Sequence, residues 1–254
     1  MATEPKGGLQ TTETSLRIIN ALKALDGARV TQLASELDMA PSTVHGHLAT
    51  LEQNEFVVKR GDIYYLGLRF LTLGEYVRNN SESYIHAKPK VKQLAEETGG
   101  RAHFVVEEHG RGVYLYTSTG EKAVKAYSSV GKRVNLHVAA AGKSILAFIP
   151  EQRVEEIIDE CGLEQETEHT ITDPDALFDE LAEIRERGYA FNREEHIKGV
   201  NAIGAPVLGP DDRVVGAFSV SGPVHRMKGD WYEEELPNML LATSNELELN
   251  IMYS

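Results

Sequence analysis

Residues 31–51, TQLASELDMAPSTVHGHLATL, decide the fold of the N-terminal part of the chain. Leu33 and Leu37 share one apolar face of a first short helix, and Asp38 interrupts that helix. Pro41 suits the first turn of a second helix because its ring presets φ. The apolar stripe of the second helix has helical spacing and consists of Val44, Leu48 and Leu51. This pattern predicts a helix-turn-helix unit.

The outward face of the second helix predicts contact with a DNA duplex. Small polar side chains at a helix N-terminus suit a phosphate oxygen or a base edge in the major groove. The candidate DNA-binding residues on this face are Ser42, Thr43, His45, Gly46 and His47. The alternative is a helical hairpin that packs into a small domain without DNA.

The segment that follows favours the DNA-binding alternative. Residues 55–66, EFVVKRGDIYYL, form two β-rich runs around a Gly-Asp turn, which predicts a hairpin. A hairpin directly after a recognition helix is the wing of a winged helix. Lys59 and Arg60 in this wing, with Arg17 upstream, are the candidate contacts to the DNA backbone.

Composition predicts a two-domain protein. The chain has 254 residues, 41% of them hydrophobic, which is enough for two separate cores. Its single cysteine, Cys161, excludes an internal disulfide framework and a CxxC zinc site. No charged-then-apolar leader is evident, and the longest near-apolar run, residues 134–150, is too short to span a bilayer. We therefore expect a cytoplasmic protein without a membrane partner.

The charge is unusual for a nucleic-acid binder. The net charge is −13, from 39 acidic and 26 basic residues. Residues 1–80 hold eight Lys or Arg and nine Asp or Glu, a net charge of −1, so −12 falls on residues 81–254. A near-neutral reading head depends on a few local charges and on helix N-termini. We hypothesise a high-salt habitat, where phosphate attraction is screened and an acidic surface favours solubility.

Two further helices complete the N-terminal half. Residues 11–25 predict a helix whose buried stripe holds Leu16, Ile19, Leu22 and Leu25. Residues 68–82 predict a linker helix with more apolar surface than one small domain covers. A connector buried between the chain's own domains would explain this surface, but a two-fold operator needs two reading heads. We therefore expect this helix to dimerise.

The remainder mixes strands and helices. Residues 102–108, 113–119, 124–130, 199–208 and 214–221 are strand-like, and they alternate with helical segments. This order predicts an α+β domain on a mostly antiparallel sheet. The expected organisation is a flexible arm at 1–10, a winged helix-turn-helix at 11–67, the linker helix at 68–82 and a ligand-binding domain at 83–254.

Motifs for catalysis or metal binding are weak. The run Gly142-Lys143-Ser144 resembles the end of a phosphate-binding loop, but the glycine required five positions earlier is His137. His137 is expected to be a hydrogen-bonded structural histidine, while Lys143 either contacts an anion or faces solvent. Glu194 and Glu195 are expected to be solvated. We expect no metal, no cofactor and no enzymatic activity; the alternative is a small-molecule enzyme that uses the winged helix only for assembly.

Three motifs in the second half carry a family resemblance. They are GKRVNLHVAAAGKSILAF at 131–148, NREEHIKGVNAIGAPV at 192–207 and VVGAFSVSGPVHR at 214–226. In this order, after a winged helix, they resemble the IclR family of transcription regulators. The resemblance implies a repressor or activator with a GAF-like effector-binding domain, working on double-stranded operator DNA as a homodimer or a dimer of dimers.

The same resemblance implies an effector pocket. Its residues carry over to Ala140, Ala141, Asn192, Ala202, Ser219 and Ser221. Asn192 stands where the family has a carboxylate and Ala202 where many members have a thiol, so we expect a less acidic and roomier pocket. The implied ligand is a small organic acid or sugar acid from a carbohydrate or organic-acid catabolic pathway. Gly46 stands where family members often have Arg, so the resemblance does not predict which bases are read.

Overall fold

A computed structural model describes residues 8–121, 123 and 129–253. They form two compact units with a boundary between Val77 and Arg78. Most of the predicted N-terminal arm and most of the strand predicted at 124–130 lie outside the described residues. Among the described residues, no helix is long and apolar enough to cross a membrane.

The first unit is a winged helix-turn-helix, as predicted. Its elements are α1 (Gln10–Ala24), α2 (Val30–Glu36), α3 (Pro41–Gln53), β1 (Val57–Arg60), β2 (Ile63–Leu66) and the greater part of α4 (Arg69–Asn79). Asp38 adopts a positive φ of 52° between α2 and α3, which makes the tight turn. The predicted stripe Val44, Leu48 and Leu51 is buried. α3 therefore presents its other face to solvent.

The predicted stripe of α1 was wrong at two of its four positions. Leu16 and Leu25 are 55% and 41% exposed, whereas Leu22 is buried and Ile19 is partly buried against the core. The other buried residues are Thr14, Ile18 and Ala21, and the buried positions follow helical spacing. Leucine content alone therefore misplaced the buried face.

The linker helix α4 has no buried residue in this single chain. Leu68, just before it, is 84% exposed, and Tyr76 and Val77 are 67% and 62% exposed. Isolated exposed apolar residues are common, but several on one short helix form a patch. The large apolar surface predicted for residues 68–82 is thus present.

The second unit is α+β, as predicted. Its main elements are α5 (Glu82–Thr98), β3 (Arg101–Glu108), β4 (Arg111–Thr119), β5 (Arg133–Asn135), α6 (Ala140–Phe148), α7 (Glu151–Cys161), α8 (Pro174–Arg187), β6 (Ala190–Arg193), β7 (Val200–Leu208), β8 (Val214–Pro223) and α9 (Leu236–Met252). The six strands form one sheet in the order β5-β4-β3-β8-β7-β6. Every described pairing in it is antiparallel.

Helices cover both faces of this sheet. Adjacent strand residues point to opposite faces, so Phe104 packs in the core beneath α5 and α9, while Val105 packs in the core beneath α6, α7 and α8. α6 lies against the sheet at β7, where Gly204 is so close that a Cβ would be 2.6 Å from Ala141 N. The start of α6 is therefore held directly against β7.

Candidate functional site

The first candidate site is the exposed face of α3. Ser42, Thr43, His45 and Gly46 are exposed. His47 is half-buried, and its Nδ1 lies 2.9 Å from Ser15 Oγ on α1. His47 therefore fastens α3 to α1, whereas the other four predicted residues are free to meet a duplex.

The wing places its two basic residues on the surface. Lys59 and Arg60 are exposed, and each lies 5.3 Å from the centroid of a tyrosine ring, Tyr64 and Tyr65 respectively. Such cation–π contacts restrict a long side chain without neutralising its charge. At the wing turn, Arg29 Nε lies 2.7 Å from Asp62 Oδ2 and lowers the pKa of that carboxyl group. The predicted wing cations thus remain available to phosphates.

Arg17 has a local structural contact. One guanidinium nitrogen donates to the Leu37 carbonyl at 3.2 Å, beyond the last turn of α2. The side chain remains exposed, and a guanidinium has five N–H donors. Arg17 therefore ties α1 to α2 and keeps donors for a backbone phosphate.

The second candidate site is a pocket in the second unit, which begins at Arg78 and is called the sheet unit below. It brings together all six predicted effector residues, Ala140, Ala141, Asn192, Ala202, Ser219 and Ser221. They come from the start of α6 and from strands β6, β7 and β8, which are far apart in sequence. The cavity volume open to water-sized molecules is about 60 Å³, and the wider empty space of about 660 Å³ includes open solvent.

The floor of the pocket is the N-terminus of α6. Its first residues are Ala140 and Ala141, and no side chain caps the helix. The first N–H groups of a helix have no intrahelical acceptor and carry partial positive charge, so they suit an anion. Both residues line the pocket with small side chains, and both are 2% exposed.

Two serines lie on the strand that faces this helix end. Ser219 and Ser221 alternate along β8 and therefore point to the same face of the sheet. Ser219 is 6% exposed and lines the pocket, and its hydroxyl oxygen is not one of the fully buried, unpartnered side-chain atoms of the described residues. Ser221 donates to the Arg101 carbonyl at a longer distance of 3.4 Å. The Ser219 hydroxyl can therefore donate to a group bound in the pocket.

Asn192 lines the pocket but uses its carboxamide within the protein. Its Nδ2 donates to the Val138 carbonyl, and its Oδ1 accepts from the Glu195 N–H at 3.2 Å. The Tyr232 hydroxyl lies 3.1 Å from the carbonyl oxygens of both Asn192 and Ala202 and donates to one of them at a time. Asn192 therefore holds the loop before α6, and Ala202 leaves room where a larger side chain would project.

Sequence reasoning missed several polar residues of the pocket. His103, Tyr114, Lys132 and His196 also line it. Burial lowers the pKa of His103 to about 3 and raises that of Tyr114 to about 12, so both are neutral near pH 7. Lys132 and His196 lie within the quoted motifs, whereas nothing in the sequence marks the strand residues His103 and Tyr114.

Lys143 and Glu195 form a buried ion pair behind the pocket. Lys143 is 1% exposed, and its Nζ lies 2.6 Å from Glu195 Oε2 and 3.5 Å from Glu180 Oε1. The expectation that Glu195 is solvated was wrong, because the loop after β6 turns its carboxylate inward. His137 is a structural histidine, as predicted, with Nε2 3.1 Å from the Glu164 carbonyl oxygen.

Metal-binding geometry is absent from the described residues. Across residues 8–121, 123 and 129–253, no three His, Cys, Asp or Glu side chains are grouped to hold a metal ion.

Comparisons with known proteins identify the family of both units. The IclR helix-turn-helix domain matches residues 12–61, and the bacterial transcriptional regulator IclR C-terminal domain matches residues 79–249. The probable HTH-type transcriptional regulator ArcR of Halobacterium salinarum is 38% identical over 241 residues, 93% of this chain and 92% of that protein. The HTH-type transcriptional regulator BhcR of Paracoccus denitrificans is 31% identical over 89% of this chain and 82% of its own.

A solved structure extends this likeness to three dimensions. The crystal structure of the Thermotoga maritima IclR has a TM-score of 0.81 and 28% identity, covering 96% of this chain and 99% of that one. The two matched domains together span most of the chain. The chain therefore belongs to the IclR family of DNA-binding transcriptional regulators.

Proposed function

We propose that this regulator binds its operator as a homodimer or a dimer of dimers, and that a small organic acid or sugar acid in the pocket at α6 controls that binding. The observation that carries the proposal is the Ser219 hydroxyl, which lines the pocket together with the uncapped start of α6. A carboxylate would accept from both, and charge-assisted hydrogen bonds are the stronger kind.

The charges around the pocket favour an anion. Lys132 is exposed at the pocket, and no carboxylate among the described residues lies within ion-pair distance of it. Lys143 is already neutralised by Glu195. An acid bound at the N-terminus of α6 would thus accept hydrogen bonds from the first N–H groups of the helix and be attracted by the ammonium group of Lys132.

The remaining lining favours a short ligand with hydroxyl or keto groups. The neutral side chains of His103 and Tyr114 offer hydrogen bonds, and small residues such as Ala202 leave room beside them. A small hydroxy acid, keto acid or sugar acid fits this lining, and it indicates control of a carbohydrate or organic-acid catabolic pathway.

Dimerisation is supported by the apolar surface of α4. Leu71 and Tyr76 are 62% and 67% exposed in the single chain, and burying them against a second copy would stabilise the pair. Two heads are also what a two-fold operator requires. Leu71→Glu combined with Tyr76→Glu is expected to give monomers by sedimentation and to weaken operator binding.

The test is a thermal-shift screen of short keto acids, hydroxy acids and sugar acids, each beside its methyl ester. We expect an acid to raise the melting temperature and its ester to have no effect, because only the acid offers a carboxylate to α6. Ser219→Ala should lose most of the shift, and Ser83→Ala on α5, outside the pocket, should keep it. Equal shifts by acid and ester, or a full shift in Ser219→Ala, would refute the proposal.

A further inference from the structure

A groove beside the DNA-reading face has an unusual lining. It lies between α1 and α3, and six of its eight lining residues carry a hydroxyl group. The lining consists of Thr11, Thr12, Ser15, Ser42, Thr43, Gly46, His47 and Thr50. None of these eight described residues is Lys, Arg, Asp or Glu. At Gly46 no atom lies within 4 Å of where a Cβ would be, so that side of the groove is open.

Two of the six hydroxyls are already engaged. Ser15 donates to the Thr11 carbonyl at 3.2 Å and lies 2.9 Å from His47 Nδ1, while Thr50 donates to the Gly46 carbonyl at 3.1 Å. The contact between Ser15 and His47 joins α1 to α3, whereas the Thr50 hydroxyl bonds within α3. The other four hydroxyls, within the described part of the chain, have no hydrogen-bond partner and are exposed, two on each helix: Thr11, Thr12, Ser42 and Thr43.

We propose that this groove seats a backbone phosphate of the operator through the hydroxyls of Thr11 and Thr12 on α1 and of Ser42 and Thr43 on α3. Half or more of protein–DNA hydrogen bonds go to phosphate and sugar oxygens, and Ser and Thr hydroxyls are among the usual donors. α3 is the second helix of the helix-turn-helix in a family of DNA-binding regulators. In such a domain this helix enters the major groove, so a groove beside it would lie next to the duplex backbone.

The charge distribution explains why hydroxyls take this role. Residues 1–80 carry a net charge of −1, and Arg17, the basic residue of α1 nearest the groove in sequence, donates to the Leu37 carbonyl. A neutral donor binds phosphate without forming an ion pair, so it releases few counterions. Such a contact keeps its strength at high salt, where attraction between full charges is screened.

The test uses the full-length protein, a duplex that the wild type selects from a random library, and a random-sequence duplex. Thr11→Val with Thr12→Val removes two hydroxyls at nearly constant shape. We expect about tenfold weaker binding to both duplexes, because a hydrogen bond to a charged group is lost and phosphates are common to every sequence. The slope of log Kd against log salt should stay unchanged.

Two controls make the result specific. Thr50→Val is the same substitution in the same groove, but that hydroxyl is engaged with Gly46, so its effect on Kd should be below twofold. Thr12→Lys should instead tighten binding at low salt and steepen the salt slope by about one per subunit, as an added phosphate contact does. Unchanged thermal melts of all variants would show that folding is intact.

A scan with neutral methylphosphonates locates the phosphate. At one position in each half-site, the modification should weaken the wild type but not the Thr11→Val, Thr12→Val variant. Three results would overturn the proposal: no loss of affinity in that variant, a loss confined to the selected duplex, or an equal methylphosphonate effect in both proteins at every position.

Discussion

The first unit, described from residue 8 to residue 77 and called the head, has an exposed candidate site, whereas the second, the sheet unit, has a largely enclosed one. The head exposes Ser42, Thr43 and His45 on one helix, all within a few consecutive residues. The sheet unit builds its pocket from α6, β6, β7 and β8, around groups that are mostly buried or half-buried. The first arrangement suits contact with a large partner, and the second suits the binding of a small one.

The difference has an energetic consequence. Substitution of an exposed polar group in the head should change the free energy of unfolding little, because water replaces the lost contacts. Buried polar groups around the pocket depend on fixed partners, so removing one leaves the other desolvated and unpaired. The sheet unit should therefore be far more sensitive to substitution than the head.

The largest contrast should come from two ion pairs. Lys143→Met leaves the buried carboxylate of Glu195 without its partner, and we expect the free energy of unfolding of the sheet unit to fall by about 3–5 kcal/mol. Arg29→Met breaks the exposed pair with Asp62 and should leave the stability of the head almost unchanged. Urea unfolding of both variants measures this difference.

A second variant separates charge from packing. Lys143→Met combined with Glu195→Gln removes both charges and should recover much of the lost stability. If Lys143→Met alone is as stable as the wild type, the pocket is not supported by a buried pair.

Next in size is a pair of glycines. In Gly204→Ala the new Cβ would lie 2.6 Å from backbone atoms of Ala140 and Ala141, so we expect a loss of about 1–3 kcal/mol and weaker ligand binding. Gly46→Ala meets open space on a helix and should gain about 1 kcal/mol. Chemical denaturation should give changes of opposite sign in the free energy of unfolding of the two variants. Two losses of equal size would contradict this prediction.

The pH dependence of stability should be set partly by His103. Its folded pKa of about 3 lies below the ordinary value near 6.5, so its contribution is fully present above pH 6.5 and is lost as the pH falls toward 3. Between pH 7 and pH 5 the wild type should lose about 2 kcal/mol more than His103→Gln, which cannot titrate. Parallel plots of the free energy of unfolding against pH for the two proteins would contradict the lowered pKa of His103.

The smallest expected effect is in the head. Ser15→Ala removes the contact with His47 and should lower the free energy of unfolding by about 1 kcal/mol relative to Ser35→Ala, an exposed serine on α2. Equal thermal melts of these two variants would show that the contact does not stabilise the head.

The sequence predicted the head better than the pocket because the head is local. The spacing of Val44, Leu48 and Leu51 was enough to orient α3, and the Gly-Asp turn was enough to predict the wing. In α1 the same reasoning failed, since Thr14 and Ala21 rather than Leu16 and Leu25 face the core. Periodicity gives the helix, but close packing selects its buried face.

The pocket could be predicted only through the family resemblance. That resemblance supplied Ser219, Ser221 and the start of α6, and the structure brings these together. His103 and Tyr114 reach the pocket through strand pairing between β3, β4 and β8, which no local pattern encodes. The high-salt hypothesis for the acidic surface stays a prediction, testable by the salt dependence of operator binding.

The most direct measurement compares operator affinity with and without the acid that stabilises the wild type. We predict a change of about 5- to 150-fold, the usual range of coupling between two sites, and no change in a Ser219→Ala, Ser221→Ala variant that still binds the operator. If the saturating ligand leaves the wild-type affinity unaltered, or if the variant responds in full, the pocket does not control DNA binding.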